Sequence, residues 1–424
     1  MARYCFAPAS VGALLATIAA LSLSSPARAS INVPSDGSDG AFNPTADVQV
    51  DLSQAVTGAW SDNNAANAGK GVYDPVKWAV VFKYSSVNIP SGVTVTFKNH
   101  PSGAPVVWLV QGDVTIAGAV SIDGRNGAGT GELTEAAPGG FAGGAGQGPV
   151  RPSGTGCGPG GGSRVCSPYA AGGTYSTSGG VEGPVCPPAP PYGNPQIVPL
   201  IGGSGASGRY EFDNGYTDGG SGGGALLIAS GNGVALGGVI SAAGGVGGTS
   251  NARSCGSGGA IRIVADTMSG TGQMNARGGI GVTASGGDGR IRIEANDLSF
   301  AGAATPAPST LQPLGEPVIW PPGTIPSLTL SQIAGKPVPA DPHAGLDSAD
   351  HYATVASVQP INVRLNAKNV PLTWNVVLRV VPFYGHDFTA SAKNVSGDDT
   401  ASVWEATVTV PMGASAFQAR ASKP

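Results

Sequence analysis

The chain has 424 residues, of which 69 are glycine and only 11% are charged, and its formal net charge at pH 7 is -4. Without a basic stripe carrying interleaved aromatic residues, binding to a nucleic-acid backbone has no electrostatic basis. A glycine-rich composition is also compatible with disorder, but hydrophobic residues make up 41% and gather in short alternating runs. We therefore predict ordered strands joined by glycine-rich loops.

The first 29 residues have the layout of a cleavable export signal. Arg3 precedes an apolar run at 11–23, and Ala27-Arg28-Ala29 stands before Ser30 as a cleavage site. The competing interpretation, an uncleaved anchor, needs roughly 20 apolar residues, which is more than this run contains. We predict cleavage between Ala29 and Ser30, and a mature chain without a membrane span that is extracellular or held at the cell surface. The periplasm is the alternative location.

A strand motif with glycine turns then recurs along the chain. Residues 30–79 are polar and rich in turns, and we predict that they cap a stack formed by residues 80–302. The four copies of the motif are Val107–Gly118, Ala225–Gly238, Ala260–Gly270 and Arg290–Gly302. Alternation directs Ile261 and Ile291 inward, in successive coils 30 residues apart. The prediction is an all-β, right-handed parallel β-helix.

A long insertion, residues 127–224, interrupts this stack. Its 98 residues contain 31 glycines and only nine charged side chains, and no helical or strand period runs through it. We predict a compact, partly polyproline-like lobe lying on the wall of the solenoid. The alternative is plain disorder.

Four cysteines remain after signal removal, namely Cys157, Cys166, Cys186 and Cys255. An even count in an exported chain predicts two disulfides, with three pairings left open. Metal binding is the alternative, but it would need C-x-x-C spacing and nearby histidines. Because Cys255 lies in a turn between repeats, a disulfide could join the insertion to the stack.

Two further regions complete the chain. Residues 303–326 are rich in proline and form either a semi-rigid linker or a final segment of the wall. Residues 327–424 contain several short alternating runs, such as Ile361-Val363-Leu365, which predict an immunoglobulin-like β-sandwich. It contains no cysteine, so the likeness is one of architecture.

Candidate chemical groups fall into two sets, and neither predicts a cofactor. The first is the charged side chains of the repeats, Asp113, Asp123, Arg125, Arg262, Asp266, Arg292, Glu294 and Asp297. Arg262, Arg292 and Glu294 could form an outward ladder that binds anionic sugars, but we favour a solvated face. The second is Asp341, His343, Asp347, Asp350 and His351, which could ligate a metal or simply belong to a turn-rich lead-in to the sandwich.

Several segments resemble a group of uncharacterised, secreted, glycine-rich bacterial proteins. They are Ile89–Phe97, Val106–Ile116, Tyr192–Gly203 and Gly287–Glu294, and the likeness covers about residues 80–300 without implying an activity. We predict a secreted or cell-surface structural or adhesion-type protein without catalytic activity. The alternative is an extracellular polysaccharide-binding or polysaccharide-degrading protein. With either function, the expected partners are cell-surface or extracellular polysaccharide, or further copies of the chain.

Overall fold

The structure is a computed structural model that describes residues 31–62, 67–146, 154–163, 170–183, 188–211, 215–248, 254–282, 284–339, 341–342, 349–352, 358–383 and 386–424. The predicted export signal, with Ala29 and Ser30, lies outside the described residues. The all-β prediction is confirmed: apart from one 3-10 turn at Leu52–Gln54, the regular elements of the described chain are strands.

Two sheets run along the first three quarters of the chain. The larger contains β1 (Ala41–Phe42), β3 (Val56–Thr57), β4 (Val72–Asp74), β5 (Ala79–Tyr84), β6 (Ser86–Ile89), β8 (Val106–Val110), β9 (Val114–Ile116), β13 (Ala225–Leu236), β15 (Ala260–Ser269), β17 (Arg290–Leu298) and β19 (Ser309–Leu311). The smaller contains β2 (Val48–Asp51), β7 (Thr94–Lys98), β10 (Ala119–Ser121), β14 (Val239–Ser241), β16 (Gln273–Asn275) and β18 (Ala303–Thr305). A short hairpin of β11 (Arg209–Glu211) and β12 (Gly215–Thr217) stands apart from both.

The strands of both sheets stack in parallel, except that β4 and β5 pair antiparallel. Ile261 of β15 lies opposite Ile291 of β17 and Leu226 of β13, so equivalent positions of successive repeats are neighbours. All three side chains are buried in one apolar core between the sheets. Strand alternation thus places one aliphatic face inside the stack, where it excludes water along its length.

The opposite face of the larger sheet is also buried. Its outward-pointing residues include Val107, Leu227 and Val264, and these pack against Leu314 and Ile319 of the proline-rich segment. The outward face of the wall is therefore not the solvated face that we expected from alternation. The cause lies in segments before and after the stack, which fold back over it.

The glycine-rich segments are extended and form an array, in which backbone hydrogen bonds join each segment to its neighbours. We call this the glycine array. Residues 219–224 illustrate the pattern: Gly219 and Gly222 donate to segment 139–146, Gly220 and Gly223 to segment 254–259, and Ser221 and Gly224 to segment 122–127. The bonding partner changes with a period of three, which is the period of a polyproline II helix. The insertion is therefore continuous with the turns of the stack.

Close packing explains the glycines of this array. A Cβ added at Gly222 would lie 1.9 Å from the carbonyl oxygen of Gly203, and one at Gly256 would lie 1.9 Å from that of Ser221. Neighbouring backbones could not approach so closely if these positions carried side chains. Glycine thus allows close contact between backbone segments here, although ordering glycine on folding costs more conformational entropy than ordering other residues.

The prediction of two disulfides is wrong. Two disulfides would need all four cysteines, but Cys157 carries a free thiol and is not bonded to Cys255; Cys166 and Cys186 lie outside the described residues. The backbone of Cys255 is held instead by a hydrogen bond from its N–H to the carbonyl of Ala284, at 2.9 Å. Backbone hydrogen bonds of this kind, and not disulfides, order the described part of the insertion. The spacing of the cysteines could not have predicted them.

Two antiparallel sheets form the C-terminal part. One contains β20 (Ser327–Ile333), β21 (Lys336–Pro337), β22 (Pro360–Lys368), β25 (Lys393–Gly397) and β26 (Ala401–Thr409) in the order β21-β20-β22-β26-β25. The other contains β23 (Asn375–Pro382), β24 (Phe388–Ser391) and β27 (Ser415–Ser422) in the order β24-β23-β27. They share an apolar core that includes Leu365, Leu378 and Trp404.

Candidate functional site

The arginine ladder is buried, and its two guanidinium groups share one carboxylate. Arg262 and Arg292 lie at paired positions of β15 and β17, and both guanidinium groups bond to Glu294, with Nε to Oε1 distances of 3.1 and 3.2 Å. Burial lowers the pKa of Arg262, while Glu294 opposes that change. Arg262 also donates to the carbonyl of Val318 at 2.6 Å. The three charges therefore fix the proline-rich segment to the wall, and they offer no solvated face or sugar-binding surface.

The aspartates of the repeats tie neighbouring turns together. Asp123 accepts a hydrogen bond from the backbone of Ala243 at 2.6 Å, and Asp113 accepts one from Gly233 at 3.2 Å. Asp266 accepts a bond from the amide of Asn296 at 2.8 Å. Each carboxylate accepts a hydrogen bond from an N–H group of the next repeat. These aspartates therefore have a structural role that joins successive repeats.

The second predicted set is divided between two places. The carboxylate of Asp341 accepts a hydrogen bond from the hydroxyl of Tyr73, while Asp350 and His351 line a cleft in the C-terminal part. His343 and Asp347 lie outside the described residues. Asp341 thus contacts the stack, and no group of three or more possible metal ligands forms among the described residues.

A buried hydroxyl–imidazole contact lies beside Tyr73. The ring of Tyr73 stacks on His100 with centroids 4.0 Å apart, and His100 Nδ1 lies 2.7 Å from Ser102 Oγ. Burial and the hydrogen bond to Asp341 raise the pKa of Tyr73. Ser102 is only 3% exposed, so a substrate atom could not reach its oxygen. The cluster joins the C-terminal lead-in to the stack.

A cleft in the C-terminal part is the candidate site. It has a volume of about 910 Å³ and opens between β20 and the start of β27. Leu330 and Ile333 supply apolar lining from β20, and Phe417 supplies it from β27. The remaining lining comes from these two strands, from the start of β22, from the turn that joins β26 to β27 and from the lead-in; it comprises Leu328, Thr329, Ser331, Val338, Pro339, Pro342, Ala349–Tyr352, Gln359, Ile361 and Val410–Ala416. Concave, mostly apolar surfaces with a few polar groups are typical binding sites.

Two polar atoms of this lining have no hydrogen-bond partner among the described residues. They are the hydroxyl oxygen of Ser415 and Nε2 of His351, and both are buried. A buried polar group without a partner costs roughly 1–3 kcal/mol. Each atom would gain a partner if its side chain turned toward a bound molecule that carries donors or acceptors.

The edge of the sheet beside this cleft is open. Within the described residues, β27 pairs only with β23, over eight residues and without a bulge. The other three edges are blunted: β21 has two residues and contains Pro337, β24 has four residues, and β25 carries Lys393 and a bulge. Proline, lysine, bulges and short length are the usual means of protecting an edge. β27 has none of these features, and Arg420 is its single charged residue.

The sheet that carries this edge is fixed to the glycine array. Arg379 of β23 donates to the carbonyls of Gly158 at 2.7 Å and Gly161 at 3.3 Å. Asp387 accepts a bond from Arg379 at 2.8 Å and another from Ser163 at 2.9 Å. The array thus holds the three-stranded sheet through charge-assisted bonds, which are stronger than neutral ones.

The cleft and its edge strand were not predicted from the sequence. The sequence contains only a weak indication of an unprotected edge strand: Ser415–Ser422 contains no proline and a single charged residue, Arg420. Comparisons with known proteins add no further evidence, because no family model, curated protein or solved structure matches this chain. Among the described residues, no helix has the length and apolar character needed to span a bilayer.

Proposed function

We propose that this is an exported structural or adhesion-type protein of the cell surface, without catalytic activity. In this proposal the stack is a right-handed parallel β-helix, the C-terminal part is an immunoglobulin-like sandwich, and the sandwich makes the adhesive contact. The observation that carries the proposal is the open cleft with two unpartnered polar atoms, Ser415 Oγ and His351 Nε2.

The position of the cleft also supports this role. The sheet beside it is bonded to the glycine array through Arg379, so the binding surface is held on a scaffold ordered by backbone bonds. An adhesive contact benefits from such preorganisation, because fewer side chains and loops must be ordered on binding. The burial of Arg262 and Arg292 removes the charged groups that favoured anionic polysaccharide as a ligand.

The proposal is tested with beads coated with residues 30–424. Their retention on bacterial cell surfaces and on a panel of immobilised polysaccharides is measured for the unchanged chain, Met412→Glu and Val395→Glu. Both residues are exposed, at 69% and 49%, but only Met412 lines the cleft. We expect retention that Met412→Glu abolishes and Val395→Glu preserves.

Two results would contradict the proposal. One is the release of reducing or unsaturated ends from any polysaccharide in solution, which would show catalysis. The other is retention that is absent, or that responds equally to the two substitutions.

A further inference from the structure

The open edge and the cleft together define the shape of a missing partner. An edge strand presents unpaired N–H and C=O groups at alternate residues, and β27 is an edge strand of eight residues that pairs with β23 on its other side. The cleft begins beside the first residues of this strand, from Ser415 to Phe417. A molecule that satisfied both features would run along β27 and place apolar groups between the two sheets.

We propose that the partner is an extended segment of another polypeptide that adds to β27 as a further strand and directs apolar side chains at alternate positions into the cleft. This inference rests on the proposed function, because it names the ligand of the same site. Strand addition obtains affinity from main-chain hydrogen bonds and specificity from pockets for alternate side chains. Ser415 Oγ and His351 Nε2, which are buried without a partner, would gain partners from the added strand once their side chains turned toward it.

A second copy of this chain is a poorer occupant. If two β27 strands paired edge to edge, each would keep Phe417, Ala419 and Ala421 in its own sandwich core, where they already pack. The cleft would then stay unfilled. A described strand that is free to enter the cleft of another copy is also lacking, since β1 to β26 are all paired within the chain.

A lipid or other apolar small molecule also fits less well. It could fill the cleft, but it would leave the backbone groups of β27 without partners. It would also bring few hydrogen-bonding groups to Ser415 and His351. A peptide strand supplies both the backbone pairing and the apolar side chains.

The test uses four fluorescein-labelled peptides of nine residues. Each has Ala, Val, Leu or Phe at alternate positions and Thr or Lys between them, and binding to residues 30–424 is measured by fluorescence anisotropy. Each peptide is matched by a copy that is N-methylated at alternate residues, which keeps the side chains but removes backbone donors. Hydrogen exchange of residues 415–422 is measured with and without peptide, and palmitate is tested as the lipid probe.

We expect at least one peptide to bind and to slow exchange in residues 415–422 at least tenfold. Binding should weaken at least tenfold with N-methylation or with Met412→Glu, and remain within twofold for Val395→Glu. The inference is overturned if no peptide binds, if N-methylated peptides bind equally well, or if exchange in β27 does not change. It is also overturned if palmitate alone binds in the cleft, or if sedimentation shows that self-association alone protects β27.

The two proposals fail in different ways. If the coated beads adhere through the cleft but no peptide binds, the partner has been wrongly identified while the proposed function holds. If peptides bind as described but the beads do not adhere, the strand-binding site holds and the adhesive role is wrong.

Discussion

Replacing Gly222 by alanine tests whether backbone contact holds the glycine array together. The new Cβ would lie 1.9 Å from the carbonyl oxygen of Gly203, whereas ordinary contact begins at 3.4 Å. The two segments would have to separate by about 1.5 Å, the difference between these distances. Such a shift strains the bond from Gly222 to Phe141 at 2.9 Å and the bond from Gly203 to Gly223 at 2.8 Å.

The expected cost follows from these two effects. Overpacking a close-packed site costs about 1–3 kcal/mol, and each lost hydrogen bond costs about 0.5–1.5 kcal/mol. Gly222→Ala should therefore lower the free energy of unfolding by about 2–6 kcal/mol, a large part of the roughly 5–15 kcal/mol that stabilises a typical domain. Gly315→Ala is the matched control, because nothing lies within 4 Å of its added Cβ. We expect it to be neutral or to stabilise by up to about 1 kcal/mol.

Urea denaturation followed by circular dichroism measures both variants, and hydrogen exchange localises the change. Faster exchange in Gly222→Ala should begin in segments 139–146, 201–208 and 254–259, which hydrogen-bond with 219–224 or with one another. If the two variants unfold within about 0.5 kcal/mol of each other, close backbone contact does not stabilise the array, and the reasoning is refuted.

Three further predictions concern Glu294, Tyr73 and Cys157. Glu294→Gln leaves Arg262 and Arg292 without their counter-charge and should destabilise by about 3–5 kcal/mol, whereas Glu405→Gln, in the exposed pair with Arg364, should cost less than about 1 kcal/mol; equal urea midpoints would contradict this. Tyr73→Phe removes the hydrogen bond to Asp341 and should cost about 1.5–3 kcal/mol, with faster exchange of the backbone amide of Asp341; unchanged exchange at that amide would count against the contact. Burial raises the pKa of Cys157 from 9.0 to about 11, so the native state favours the neutral thiol. Its contribution to stability should be complete below pH 9.0 and be lost as the pH rises through about 11; alkylation of Cys157 at pH 9 as fast as in denaturant would show that the thiol is not protected.

Side-chain alternation predicted the parts of the fold that side chains determine. Ile261 and Ile291 are adjacent and buried, as the repeat required, because strand periodicity reports directly which face excludes water. The alternating run at Ile361–Leu365 likewise lies in β22. The fold class could be predicted to this level from local pattern alone.

The remaining features depend on contacts that local pattern does not encode. The glycine array is held by backbone groups, which every residue possesses, so its bonding pattern leaves no periodicity of side chains. Arg262 was expected on a solvated face because alternation shows that a side chain points outward, but not that residues 309–320 cover it. The open edge of β27 depends on which strands are absent beside it, and a single strand's sequence carries little of that information.

We expect the array to hold the open edge of β27 in its binding conformation. Arg379 lies in β23, the strand that pairs with β27, and its bonds to Gly158 and Gly161 fix the sheet at its centre. Arg379→Met should keep the aliphatic stem but release the sheet from the array. Binding would then have to order that sheet, at a cost of about 0.5–1.5 kcal/mol for each newly immobilised side chain.

We therefore expect Arg379→Met to weaken binding of the labelled peptides several-fold and to speed hydrogen exchange in residues 154–163. The matched control is Arg277→Met, which removes an exposed arginine from the stack, outside the lining of the cleft. If the Arg379 variant exchanged faster at 154–163 yet bound the peptides as tightly as the unchanged chain, the array would hold the domain in place without preparing its edge.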